Sequence, residues 1–192
     1  MKIEFTKEEG NKMQFELSGS GTSFANAMRR YAMNAVPVLA LDEVTFYDNT
    51  SALFDEYLSH RIGLIPLVTP AGVPKDAEIA FYLDVKGPKV AQSGDLETKD
   101  KEVKPAREKI PIASLTENQA IRLEAKARLG TARKHAKYQA GLAGYEIAKD
   151  SYKFTVESFY QMSPRELMYR AASILEDDVE ELGKLLSKAK KK

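Results

Sequence analysis

SPRELMYRAASILEDDVEELGKLL, residues 163–186, opens with an explicit helix start. Ser163 stands where a side-chain cap is needed, and Pro164 takes the first helical position, where its missing N–H is no loss. Glu166 follows three residues after the cap, completing a capping-box pattern. From there Leu167, Met168, Ala171, Ile174, Leu175, Val179, Leu182, Leu185 and Leu186 recur at helical spacing. They form a broad stripe over about six turns, some 35 Å of helix. Such a stripe is roughly as long as a small domain is wide, and broader than one sheet face requires. Either the helix only covers this chain's own sheet, or one flank packs on the sheet and the other on a partner chain. The closing SKAKKK reads as a frayed, solvated tail.

Upstream, Ile3 and Phe5, then Met13, Phe15 and Leu17, alternate on either side of KEEGN, which predicts a hairpin with a Gly/Asn turn. GSGTS then supplies loop residues and a cap candidate, Thr22 or Ser23, for a first helix. At 100° per residue Phe24, Ala27, Met28, Tyr31, Ala32 and Ala35 share one face, with Asn26, Arg29, Arg30 and Met33 on the other. Pro37 ends that helix, because it lacks the next N–H and disfavours helix at Val36. VLALDEVTFY reads as a strand. A second helix is expected from Leu53 to Gly63 after the cap-like DNTS. AEIAFYLDVKG predicts a strand, and residues 92–109 a polar loop. QAIRLEAKARLG alternates most cleanly: Ile121, Leu123, Ala125, Ala127 and Leu129 face one way, Arg122, Glu124, Lys126 and Arg128 the other. YKFTVESF repeats the strand pattern, so the class is α+β.

The chain's 192 residues suffice for one large or two small domains. With 29 basic against 28 acidic residues the charge is balanced, whereas a general nucleic-acid binder is usually much more basic. The absence of cysteine excludes a disulfide framework, a thiolate nucleophile and cysteine-ligated zinc or iron–sulfur clusters. The N-terminus lacks the apolar core of a signal peptide, and no run approaches the roughly 20 apolar residues of a membrane span. A cytoplasmic protein with no membrane association is expected.

Two histidines, His60 and His135, are too few for a histidine-only metal site. GTARKHAKYQAGLAGY, from Gly130, is not a phosphate loop, which ends in Gly-Lys-Ser/Thr before a helix. Its cations, with Lys126 and Arg128, could follow an anionic backbone, although a solvated charged loop is the commoner meaning of such a run. The acidic pairs Asp42–Glu43, Asp55–Glu56 and Asp177–Asp178 have no nucleophile, glycine-rich turn or histidine relay in their local frame. No catalytic motif stands out, which leaves a diffuse acidic enzyme site as the weakest reading.

Four blocks in order carry a resemblance: FANAMRRYAMNAVPVLALDEV, NTSALFDEYLSHRIGLIPL, EVKPAREKIPIASLTENQAIRLEAKARLGTARKHAKYQ and SPRELMYRAASILEDDVEEL. Over nearly its whole length the chain resembles the D-subunit family of archaeal DNA-directed RNA polymerase. That family is the counterpart of the bacterial alpha subunit's N-terminal domain and of the eukaryotic third-largest subunit. The resemblance implies a discontinuous α+β dimerisation domain, residues 1–48 and 152–192, with an inserted β-rich domain at 49–151. It implies a transcription role without a catalytic site of its own: a heterodimer with subunit L, forming the platform for the second-largest subunit and subunits N and P. DNA would then be met only through the assembled polymerase. Phe24, Met28, Tyr31, Leu167, Met168, Ala171, Ile174, Leu175, Val179 and Leu182 would face subunit L. Asn26, Arg29 and Arg30 would meet a large subunit, and His60, Arg61, Arg133, Lys134, His135 and Lys137 another subunit from the inserted domain. Several family members carry a cysteine-rich domain with iron–sulfur clusters and eukaryotic counterparts hold zinc; without cysteine, no such cofactor is expected here. Tyr138 stands where the family pattern suggests tryptophan.

Overall fold

The computed structural model describes residues 1–189; the last three lysines of the expected frayed tail lie outside the described residues. The fold is mixed α+β in two compact units, Met1–Val36 with Thr131–Arg133 and Gln139 onward, and Pro37–Gly130 with Lys134–Tyr138.

In the first unit, strands β1 (Lys2–Glu9) and β2 (Lys12–Ser18) form the hairpin, closed by Gly10 and Asn11. Gly10 has φ 58°, a left-handed conformation that glycine adopts without a steric penalty. Asn11 Nδ2 also donates to the carbonyl of Ser158 at 2.9 Å, tying the turn to the far end of the chain. The helix α1 (Thr22–Asn34) follows. Late in the chain come β9 (Gly141–Ala148), β10 (Ser151–Ser158) and α3 (Pro164–Ala189). The sheet is antiparallel throughout in the order β1-β2-β10-β9. Phe15 lies directly opposite Phe154, their rings stacked with centroids 4.8 Å apart. Met13, Leu17 and Val156 extend that buried face, and Ala25, Met28, Ala32, Leu167 and Ala171 cover it from the helices.

The caps differ from each other. Ser163 Oγ accepts from the Glu166 N–H at 3.1 Å, as its position predicts, while the Glu166 carboxylate accepts from Arg170 Nε at 2.7 Å, one turn on. At α1 the cap position falls on Gly21 instead of Thr22 or Ser23, and no side chain caps it. Glycine is tolerated there because its small size leaves the free N–H groups open to other partners.

The second unit is built on β3 (Val38–Asn49), β4 (Glu78–Lys86), β6 (Glu97–Thr98) and β8 (Ala120–Gly130) in the order β3-β8-β4-β6. A two-stranded sheet pairs β5 (Lys89–Gln92) with β7 (Pro111–Leu115), and α2 (Asp55–Gly63) packs beside β3 and β7. Residues 92–109, expected to be loop, contain β6 and a single 3-10 turn at Ser93–Asp95. The alternation of β8 holds: Ile121, Leu123, Ala125 and Ala127 are fully buried with Leu39, Leu41, Leu58, Ile62, Phe81 and Leu83.

Candidate partner-binding surface

The first unit leaves two apolar surfaces open. One is a groove of about 330 Å³ between the sheet and the helices. Its walls include Ile3, Phe5, Phe24, Met28, Met168 and Tyr169, and its floor Met13, Phe15 and Phe154. The Arg165 guanidinium lies 4.0 Å over the Phe5 ring and reaches Glu8 at 2.7 Å, bordering the groove with charge.

The other is the second half of α3. Leu167 and Ala171 are completely buried and Met168 nearly so, while Ile174 and Leu175 are half-buried. Val179, Leu182, Leu185 and Leu186, in the same stripe, are 55% to 60% exposed. A single apolar stripe is thus core over its first two turns and solvent-facing over its last three. Large aliphatic residues at successive stripe positions form a contiguous exposed patch, the pattern of a surface awaiting a partner. Asp178, within this stripe, accepts a hydrogen bond from the Tyr31 hydroxyl at 2.7 Å. That carboxylate raises the Tyr31 phenol above its ordinary value. Arg133 stands 6.0 Å from the Tyr31 ring.

The residues expected to face a partner therefore divide. Phe24, Ile174, Leu175, Val179 and Leu182 are at least partly open, Tyr31 sits at the margin, Met28 and Met168 line the groove, and Leu167 and Ala171 belong to the core. On the other face of α1, Asn26 Oδ1 accepts from Arg29 Nε at 3.2 Å and from its Nη2 at 2.9 Å. Arg29 Nη1 lies 3.5 Å from Met33 Sδ, so that side chain lies along its own helix. Arg30 is exposed.

In the second unit the basic loop is fastened internally. Lys137 Nζ contacts Asp42 Oδ1 at 2.6 Å and the Leu41 carbonyl at 3.3 Å, and Lys134 reaches Asp42 at 3.5 Å. The hydrogen bond from Lys137 holds the Asp42 carboxyl at about 2. Arg128 adds contacts to Asp42, Glu43 and Glu78, giving three cations on three carboxylates. Tyr138 is fully buried over Gly130, where an added Cβ would come within 2.7 Å of its ring. Burial first, and the interaction of its hydroxyl with the Asp42 carboxylate second, push the phenol up. The His135 ring accepts the Lys137 N–H at 3.1 Å, closing its own turn. His60 is exposed; Arg61 donates to the Pro111 carbonyl at 2.7 Å and lies 5.8 Å over the Tyr57 ring. Phe54, which sequence reasoning did not single out, is 80% exposed beside Tyr57. The sequence places Phe54 inside a helix starting at Leu53, whereas α2 starts at Asp55 and leaves Phe54 at the cap position, off any helical face.

Among the described residues, no three or more His, Asp or Glu side chains gather to hold a metal ion, and no helix is long and apolar enough to cross a membrane. With no cysteine in the chain, thiolate ligation of an iron–sulfur cluster does not fit.

Comparison with known proteins gives one consistent answer. The family model described as the RNA polymerase Rpb3/RpoA insert domain matches residues 44–152. DNA-directed RNA polymerase subunit Rpo3 of Methanocaldococcus jannaschii is 40% identical over 161 residues, covering 82% of each chain. Rpo3 of Pyrococcus furiosus is 40% identical over 153 residues, 76% of this chain and 59% of that protein. For Halobacterium salinarum Rpo3 the figures are 42% over 144 residues, 74% and 58%. The chain thus spans rather less than two thirds of the length of the last two relatives.

Proposed function

Because this chain belongs to the Rpo3 family of archaeal DNA-directed RNA polymerase subunits, we propose that it is a non-catalytic assembly subunit that pairs with the small subunit L. The observation that carries this reading is the α3 stripe, buried in its first half and exposed from Val179 onward. Burying a fully exposed leucine or valine is worth about 1.5–3 kcal/mol, and at 55% to 60% exposure each of the four has roughly half of that left to gain under a partner. The groove bounded by Ile3, Phe5 and Phe24 enlarges the same kind of surface.

In this reading the first unit serves as the dimerisation domain and the second as the inserted domain, with boundaries near Val36 and Tyr138 in place of the expected 48 and 152. The heterodimer is the platform for the second-largest subunit and subunits N and P, followed by the largest. Arg30, with Asn26 and Arg29, is the large-subunit contact on α1. A further neighbour is met through His60, Arg61 and the 134–137 turn of the second unit, to which Phe54 and Tyr57 are added; Arg133, expected with them, belongs to the first unit beside Tyr31. The chain needs no cofactor, works in the cytoplasm and meets DNA only through the polymerase. A free-standing nucleic-acid binder would draw on Lys126, Arg128, Arg133, Lys134 and Lys137. The ion pairs of Arg128, Lys134 and Lys137 leave that set with little free charge.

The test is the native mass of the chain alone and co-expressed with subunit L of the same organism. A one-to-one complex that Leu182→Glu abolishes is the expected result, because the variant would bury an unpaired charge. A lone chain that ignores subunit L refutes the pairing.

A further inference from the structure

The exposed half of α3 is not uniformly apolar. Residues 174–189 carry Glu176, Asp177, Asp178, Glu180 and Glu181 against Lys184 and Lys188, so carboxylates outnumber ammonium groups five to two. Lys184 is engaged with Glu180 at 3.2 Å. One acid is placed differently from the rest. On the helix lattice the neighbours of Asp178 at i−4, i−3 and i+4 are Ile174, Leu175 and Leu182, so it sits inside the stripe and not beside it. The Tyr31 hydroxyl supplies one neutral donor to Oδ2, and Arg133, 6.0 Å from the Tyr31 ring, makes no ion pair with Asp178 among the described residues. An ionised carboxylate has about four acceptor positions, and closing a partner over it with one neutral hydrogen bond would leave a desolvated charge.

Resting on the heterodimer reading above, we propose that the partner covering the exposed half of α3 presents a cationic side chain to Asp178. Of the other acids only Glu181, at i+3 of Asp178, borders the stripe, and the partner's face is basic at that edge too. Asp178 then selects the partner and fixes its register, since a second surface of equal hydrophobicity but no cation at that point would leave the charge unmatched. Tyr31 holds the carboxylate in a single orientation before the partner arrives. The device is one of specificity: apolar contact from Val179, Leu182 and Leu186 supplies adhesion, and Asp178 decides what adheres.

Purified subunit L from the same organism is the probe, titrated against the full chain at low and at high salt. The wild-type complex is expected to weaken as salt rises. Asp178→Asn and Asp178→Leu are each expected to lose about tenfold in affinity, the scale of one charge-assisted hydrogen bond, with a flatter salt response. Asp178→Glu should restore most of the binding, and Tyr31→Phe, which keeps the charge but loses the orienting hydrogen bond, should lose less than Asp178→Asn and keep the wild-type salt response. Thermal melting of each variant alone confirms that the exposed substitutions leave the fold intact. Asp178→Leu binding as tightly as wild type, or more so, overturns the proposal. So does a Tyr31→Phe loss equal to that of Asp178→Asn, because the carboxylate would then serve only Tyr31. Leu182→Glu separates the two levels. If it abolishes pairing while Asp178→Asn does nothing, only the cation assignment fails; if it too leaves pairing unchanged, the heterodimer reading fails with it.

Discussion

Leu167 and Leu182 lie fifteen residues, about four turns, apart on one stripe of one helix, and their surroundings are opposite. Leu167 is completely enclosed, with its Cδ2 methyl so near Gly141 that a Cβ there would come within 2.8 Å. Leu182 is more than half exposed. The pattern of apolar residues is the same through both halves, because a helix writes its hydrophobic stripe by spacing alone. What covers the stripe is information from elsewhere: β2, β10 and α1 enclose the first half, while Val179, Leu182, Leu185 and Leu186 in the second half stay more than half exposed.

The sharpest way to break the contrast is to truncate both leucines. Leu167→Ala is expected to destabilise the chain by about 2–5 kcal/mol, through lost burial and the cavity left behind, measured by denaturant unfolding. If it behaved like an exposed site, the assignment of the first half to the core would be wrong. Charge offers a parallel contrast between Asp178, which faces outward, and Asp42, which is satisfied within its own unit by Lys137. The folded-state pKa of Asp42, about 2, lies below its ordinary 3.8. Its contribution is therefore fully present above pH 3.8 and is lost as pH falls through about 2. Asp42→Asn should cost roughly 1–3 kcal/mol at neutral pH and flatten the stability profile within that acid window.

Smaller effects sharpen the comparison at the ends of the helix. Ser163→Ala removes the cap beside the buried half and is expected to cost about 1 kcal/mol, read as a shift in the denaturant midpoint. Gly183, mid-helix in the exposed half, has nothing within 4 Å of where a Cβ would stand. Gly183→Ala should therefore stabilise the isolated chain by about 0.4–1 kcal/mol, visible as a higher melting temperature. Leu182→Ala should change the stability of the lone chain by less than about 0.5 kcal/mol. In the presence of subunit L the order of Leu182 and Ser163 is expected to reverse.

The elements with strong local signals were legible from the residues. The Ser163 cap, the Pro37 stop and the alternation of β8 are each set by chemistry within a few positions. Strand β9 was not. GLAGYEIA has two glycines and two alanines, little β-branching and no clean alternation, and it is a strand because β10 pairs with it along its length. β5 and β7 are similarly short and were missed for want of period. The basic loop failed for another reason: Lys134 and Lys137 look like free cations until Asp42, more than ninety residues earlier, is folded against them. For the candidate surface, the stripe was visible but its division at about Ile174 was not, because spacing records which residues are apolar and not where the neighbouring sheet ends.

The pairing of β2 with β10 has a consequence in time. Lys12–Ser18 must wait for Ser151–Ser158 before their sheet can close, whereas the second unit is complete once Tyr138 has been made. At roughly 5–20 residues per second of synthesis, the opening hairpin spends on the order of ten to thirty seconds without its partner strand. A two-stranded hairpin is marginal by itself, so Ile3, Phe5, Met13, Phe15 and Leu17 pass that interval unprotected. In chain order the interrupting unit is complete first, and the last of the segments that flank it, including α3 with its exposed second half, come after it.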